Sequence, residues 1–267
     1  MSTFLYNNKK IAFEKKGEGP AMVFLHGFCE DQSMWHSLGA LADDWGITFI
    51  SIDLPGFGQS DTITSSSIEE MADIVHTFCQ TQQHDRIALM GHSMGGYVAL
   101  AFAEKYPQLL SGLGIIHSHP YEDSEAKKEA RQKSIAFIEK KGSASYVRQL
   151  IPKLFPPEYA VSYPQIVQPL VEKALAYDPR GIMNALAAMK NRPDRTEVLA
   201  SLEVPVLFIV GALDELESSE KLIGQTHLPH VASIHILEQV GHMGIFEAPD
   251  RINQVVSDFA TFIFHKP

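Results

Sequence analysis

Apolar residues take two spacings along this chain, and the two alternate. Short unbroken runs at Ala21-Met22-Val23-Phe24-Leu25, Ile47 to Ile52, Ile87 to Met90, Leu113 to Ile116 and Val204 to Val210 have the length of strands buried on both faces of a parallel sheet. Between them lie helical patterns at about Ser33 to Ala42, with Met34, Leu38 and Leu41 on one face, at about Ser67 to Gln80, and from Gly96 to near Tyr106-Pro107. Thr3 to Tyr6 and Lys10 to Glu14, split by Asn7-Asn8, predict an opening hairpin. After Val210 the order closes with a helix at about Ser218 to Gln225, a strand Ser233 to Leu237 and a last helix at about Pro249 to Phe264. Strand alternating with helix predicts a parallel sheet with right-handed crossovers and its active residues at the carboxyl ends of the strands.

The alternation breaks once. From about Ser118 to Thr196 there are only helical stretches: Ser124 to Lys141 ending at Gly142, Ser143 to Leu154 ending at Pro156-Pro157, Gln165 to Ala176, and Gly181 to Asn191. In the third, Ile166, Val167, Leu170, Val171, Ala174 and Leu175 make one apolar stripe. The pattern predicts a helical lid over residues 118–196 inserted into a core formed by 1–117 and 197–267.

A length of 267 residues suits one such domain, and 45% hydrophobic with 20% charged residues is the composition of a soluble protein. The net charge of −10 argues against a nucleic-acid partner. Met1 to Lys10 holds no apolar signal segment, and the longest apolar run, Val204 to Val210, is interrupted by Pro205 and too short for a membrane span. The expectation is a cytoplasmic protein. The lid carries 13 Lys+Arg against 9 Asp+Glu, a surplus of four positive charges in an otherwise acidic chain. Basic residues on outward helix faces ordinarily serve solvation, and that reading is adopted; steering of an anionic substrate is the alternative. Cys29 and Cys79 are too few for a disulfide framework and lack metal-ligand spacing, so both are read as free thiols. Cys79 belongs to the core, whereas Cys29 is a candidate for oxidation and not for catalysis.

The candidate chemistry centres on Met90-Gly91-His92-Ser93-Met94-Gly95-Gly96, a serine between glycines that joins a buried strand to a helix. So sharp a turn exposes Ser93 Oγ and sets it beside the unpaired N–H groups of a helix start. A serine hydroxyl requires a base that takes its proton and later returns it, and His242, after a late strand and a glycine, is the histidine in place. An acid must orient that histidine: Asp214 ends the Val204 to Val210 strand, with Glu122 or Asp123 as rivals at the lid entrance. Glu215 and Glu217 are expected to be solvated. Backbone N–H groups of Met94 and Phe28 are the expected oxyanion donors. His26 and His92 read as loop braces and Asp53 as a carboxylate tying loop N–H groups, while His117 and His119 lack a third ligand, so no metal is expected. Phe137, Tyr146, Met183 and Met189 are the candidate substrate contacts in the lid.

His26-Gly27, Asp53-Leu54-Pro55-Gly56-Phe57-Gly58, Gly91-His92-Ser93-Met94-Gly95, Gly211-Ala212-Leu213-Asp214 and Gly241-His242 together resemble the signature set of the α/β-hydrolase superfamily, across nearly the whole chain outside the lid. The resemblance implies an α/β fold with an eight-stranded, mostly parallel sheet and helices on both faces. It also implies a catalytic triad in the order nucleophile, acid, histidine, here Ser93, Asp214 and His242. Size and lid length are similar to capped carboxylesterases, enol-lactone hydrolases and cofactor-free perhydrolases. The function so implied is a cofactor-free serine hydrolase acting on a small-molecule ester, lactone or related acyl compound. Perhydrolysis, thioester cleavage or carbon-carbon bond hydrolysis by the same residues are alternatives, and a ligand sensor on the same scaffold is one of another class.

Overall fold

The computed structural model describes residues 2–64 and 67–264. Eight strands form one sheet: β1 (Ser2–Tyr6), β2 (Lys9–Lys16), β3 (Ala21–Leu25), β4 (Thr48–Ile52), β5 (Ile87–His92), β6 (Leu110–Ile116), β7 (Val206–Gly211) and β8 (Ala232–Leu237). Their order is β1-β2-β4-β3-β5-β6-β7-β8. The opening hairpin pairs antiparallel, and β2 joins β4 antiparallel. All remaining pairs are parallel.

Alternating side chains of the buried strands feed two separate cores, which is why these runs carry no polar face. On β3, Val23 and Leu25 enter one core beneath the helices Ile68–Thr81 and Met94–Lys105. Met22 and Phe24 enter the other, with Trp35, Leu38 and the last helix, Pro249–Phe264. Ser67 caps the helix Ile68–Thr81 by accepting from the Glu70 N–H, and Ser124 does the same for Glu125–Lys141 through the Lys127 N–H.

One expected helix is not continuous. Instead of a single helix over Ser33 to Ala42, the chain forms a 3₁₀ turn, Gln32–Trp35, and two single helical turns, His36–Gly39 and Ala42–Trp45. Trp35, Met34 and Leu38 must all reach the sheet within this short span, and Gly39 lies so close to Phe49 that a Cβ would sit 3.0 Å from its ring. Gly39, a poor helix former, ends the first single turn, and Gly46, in the left-handed conformation, caps the second.

Between β6 and β7 the chain leaves the sheet for the helices Glu125–Lys141, Ala144–Leu150, Pro157–Ser162, Pro164–Leu175, Pro179–Asn191 and Thr196–Ala200. Departure and return lie side by side, because the Arg195 N–H donates to the Pro120 carbonyl at 2.8 Å. Arg195 also holds two carboxylates of the sheet-covering helices, Glu104 at 2.9 Å and Glu69 at 2.5 Å. On the opposite side Gly181 presses against Gly56, where an added Cβ would stand 2.7 Å from the Gly56 carbonyl oxygen. The His242 N–H donates to the Leu154 carbonyl at 3.2 Å, so this helical segment also anchors the loop after β8.

Candidate active site

β4 follows β3 in sequence but pairs on its outer side, and β5 returns on the other, so the sheet reverses its direction of growth between β3 and β5. Loops leaving the carboxyl ends of strands part at such a point and open a crevice. The loop His26-Gly27-Phe28 leaves β3 there, and Ser93 follows β5 directly. Ser93 has φ 50° and ψ −113°, a strained conformation for an L residue. Two glycines permit the turn: a Cβ on Gly91 would strike the Gly95 carbonyl, and one on Gly95 would strike the carbonyl of Leu25.

Ser93 Oγ lies 2.9 Å from His242 Nε2, and His242 Nδ1 lies 2.7 Å from Asp214 Oδ2. The other oxygen of Asp214 accepts from the N–H groups of Leu216 at 2.9 Å and Glu217 at 3.2 Å. Burial pushes the Asp214 carboxyl upward, but His242, His117 and the Leu216 N–H outweigh it and hold it below its ordinary value. An ionised Asp214 therefore fixes the Nδ1–H tautomer of His242 and turns Nε2 toward the serine. Among the described residues, neither the Phe28 N–H nor the Met94 N–H has an acceptor.

The flanking histidines brace this line. His26 Nδ1–H donates to the Gly27 carbonyl at 2.8 Å and its Nε2 accepts from the Leu54 N–H at 2.8 Å, with burial lowering its pKa to about 4. His92 donates Nε2–H to the His242 carbonyl at 2.8 Å. His117 packs its ring 6.0 Å from that of His242 and has no partner for either nitrogen among the described residues; burial and His242 hold it near 3, neutral at ordinary pH. Asp53 accepts from the Gln32 N–H at 2.8 Å and the Gln59 N–H at 2.9 Å, tying two loops.

Above Ser93 and His242 lies a cavity of about 130 Å³. Phe28, Tyr146, Leu150, Leu154 and Met243 give it an apolar wall, while Lys127 and Arg131 line it from the helix Glu125–Lys141. Glu30 also lines it, 1% exposed, with neither carboxyl oxygen hydrogen-bonded among the described residues. Burial raises the Glu30 pKa to about 8, so this carboxyl is protonated at neutral pH. Cys29, next to it, is buried, and burial together with Glu30 pushes its thiol well above the ordinary range, which makes it unreactive.

Residues 20–134 match a family model described as the alpha/beta hydrolase fold. The whole chain is similar to the solved structure of a thermophilic esterase from Thermogutta terrifontis, with a TM-score of 0.91 and 29% identity over 98% of this chain and 97% of that one. This protein has the α/β-hydrolase fold. The fold is likewise that of the enol-lactonase from Burkholderia xenovorans LB400, at a TM-score of 0.88 and 20% identity over 97% of this chain and all of that one, 100%. In sequence the chain is also similar to the pimeloyl-[acyl-carrier protein] methyl ester esterase of Yersinia enterocolitica, 26% identical over 94% of this chain and 98% of that protein.

Of the four contacts expected in the helical segment, Tyr146 and Met189 line the cavity and Phe137 and Met183 do not. The helix Glu125–Lys141 turns Lys127 and Arg131 inward, which leaves Phe137 39% exposed on the outer side. Met183 packs instead against the core beneath the segment. Glu217 is not solvated as expected: it is buried, ion-paired with Lys127 and Lys221, and 3.0 Å from His119. The Asp214 carboxylate caps its N–H and draws it inward, and lysines from two elements then compensate its charge. Asp123, the rival acid, is buried elsewhere, with Arg131 at 2.5 Å and Arg192 at 2.8 Å. His119 contacts Glu217 and Tyr97 while His117 contacts the rings of His92 and His242, so the two do not share a site. Among the described residues no helix is long and apolar enough to cross a membrane.

Proposed function

We propose that this protein is a serine hydrolase that cleaves a small carboxylic ester or lactone through an acyl-serine intermediate, beneath a lid formed by the helices between β6 and β7. The observation that carries the reading is the hydrogen-bonded line from Ser93 Oγ through His242 to Asp214 Oδ2, at 2.9 and 2.7 Å. His242 Nε2 removes the Ser93 proton as Oγ attacks the substrate carbonyl carbon. The carbonyl π pair moves to oxygen, and the resulting anion takes hydrogen bonds from the N–H groups of Phe28 and Met94. Collapse breaks the bond to the leaving oxygen, which receives the proton from His242. A water then repeats the cycle on the acyl-serine, giving up its proton to His242, and the carboxylic acid departs as Ser93 is restored. Asp214, ionised and buried behind His242, stabilises the imidazolium in both halves. The α/β-hydrolase fold and similarity to esterases support an ester-like substrate.

A fluorophosphonate probe tests the reading, with peptide mapping of the labelled protein and a parallel assay on p-nitrophenyl butyrate. Labelling is expected at Ser93, and Ser93→Ala should lose both labelling and at least about 10³ in kcat. Labelling without turnover in the parent would make the protein a ligand sensor, and full turnover in Ser93→Ala would remove the nucleophile.

A further inference from the structure

Lys127 and Arg131 stand one helical turn apart, on a single face of the helix Glu125–Lys141, and both line the cavity that holds Ser93 and His242. Their charge is only partly matched. Lys127 pairs with Glu217, and Arg131 Nε donates to Asp123 Oδ2 at 2.5 Å. The same two carboxylates also serve Lys221, 2.9 Å from Glu217, and Arg192, 2.8 Å from Asp123. Four cations thus share two carboxylates, and His119, the remaining titratable group against Glu217, is held neutral by burial and by those same cations.

The guanidinium of Arg131 has an open edge. Nε is committed to Asp123 and Nη1 lies 3.5 Å from Met189 Sδ, while Nη2 has no acceptor among the described residues. Burial and then Arg131 lower the Lys127 pKa to about 8, the response of an ammonium group crowded by neighbouring cations. Glu30, the other carboxyl lining the cavity, is neutral at pH 7 and senses Lys173 and Asp31 instead of this pair, so it does not balance them. Cationic surplus in a partly desolvated wall is costly until an anion completes it.

On the reading of the protein as an ester hydrolase, we propose that Lys127 and Arg131 form a carboxylate-binding end of the cavity, and that the preferred ester carries a second, ionised carboxylate remote from the bond that is cleaved. Arg131 offers its open guanidinium edge and Lys127 a point charge, while the aromatic and aliphatic wall from Phe28 to Leu154 takes the intervening methylenes. The remote carboxylate is bound alike in ground state and transition state, so its recognition is read in KM.

The test compares monomethyl glutarate with methyl pentanoate, esters of equal chain length that differ in the terminal carboxylate, with release of methanol as the readout. The parent should favour the glutarate ester in kcat/KM by at least about tenfold, and Lys127→Gln and Arg131→Gln should each reduce that ratio by about tenfold, mainly through KM, as expected for a lost hydrogen bond to a charged group. Lys140→Gln, exposed on the same helix, should leave the ratio as it is. Lys127 is one-third exposed (32%), so its variant is expected to fold even if Arg131→Gln, which strips a buried partner from Asp123, does not. Equal or better turnover of methyl pentanoate by the parent, or an unchanged ratio in folded Lys127→Gln, overturns the carboxylate site and leaves the ester hydrolase standing. Failure of the parent on both esters and on p-nitrophenyl butyrate overturns the hydrolase reading and this inference with it.

Discussion

Asp214 and Asp123 are both buried carboxylates near the cavity, and their partners give them different work. Asp214 faces His242 and two backbone N–H groups, whereas Asp123 faces Arg131 and Arg192. Asp214→Asn should lower kcat on p-nitrophenyl butyrate by about 10⁴, because the amide no longer selects the Nδ1–H tautomer or stabilises the imidazolium. Asp123→Asn should be felt in stability, at about 3 to 5 kcal/mol, since it leaves two arginines without their buried anion. Thermal melts and kcat on both variants decide this, and a larger kcat loss in Asp123→Asn would move the acid to the other carboxylate. At Phe28 the N–H carries the proposed chemistry and the ring only packing, so a folded Phe28→Pro should lose about 10² to 10³ in kcat while Phe28→Leu stays within about tenfold. Equal kcat in the two variants would place the second donor elsewhere. Ser93, His242 and Asp214 are legible in the sequence because each follows a recognisable strand at a fixed offset. Glu217 and Lys127 are not, because they meet from 90 positions apart along the chain, and Arg131 is not, because it reaches Met189 from 58 positions away. A helix as basic as Glu125–Lys141 does not reveal which of its cations point inward.

At the scale of elements, long runs with clear ends were readable: Ser124 and Gly142 bracket one helix, and Pro249 opens another that runs to Phe264. The segment from Gln32 to Trp45 was not, since its apolar spacing suits a helix while Gly39 and the left-handed Gly46 end it as single turns. Pro157–Ser162 and Thr196–Ala200 are too short to develop a period. The contact of Gly181 with Gly56 joins the helix Pro179–Asn191 to the loop after β4 without a side chain on either side. Gly181→Ala should force the two backbones apart and cost about 1 to 3 kcal/mol, lowering Tm by roughly 2 to 10 °C. An unchanged Tm would mean that the two elements are not held at this distance.

At the scale of the whole molecule, stability should bend with pH because of Glu30. Its ordinary pKa of 4.5 rises to about 8 in the folded protein. Between those values the folded state keeps a proton that the unfolded chain has released, so stability from this group is intact below about pH 4.5 and is lost as pH rises through about 8. The penalty above that pH is on the order of a few kcal/mol. Glu30→Gln removes the titration, and its Tm advantage over the parent should be larger at pH 9 than at pH 5. Parallel melting curves across that range would show that the carboxyl is ionised or solvated in the native state.

The hydrogen bond between Arg195 and Pro120 closes the neck of the helical segment, so the chain leaves the sheet and returns to it through two ends held together. A segment of another length, or of another sequence, can be closed over the same neck without shifting β6 or β7. The residues that would recognise a substrate, Lys127 and Arg131 among them, lie beyond the neck, whereas Ser93, Asp214 and His242 lie before or after it. Ancestry can therefore exchange the two with little coupling: a lineage can trade the residues proposed to recognise a substrate in one recombination or insertion event while the proposed triad is inherited intact.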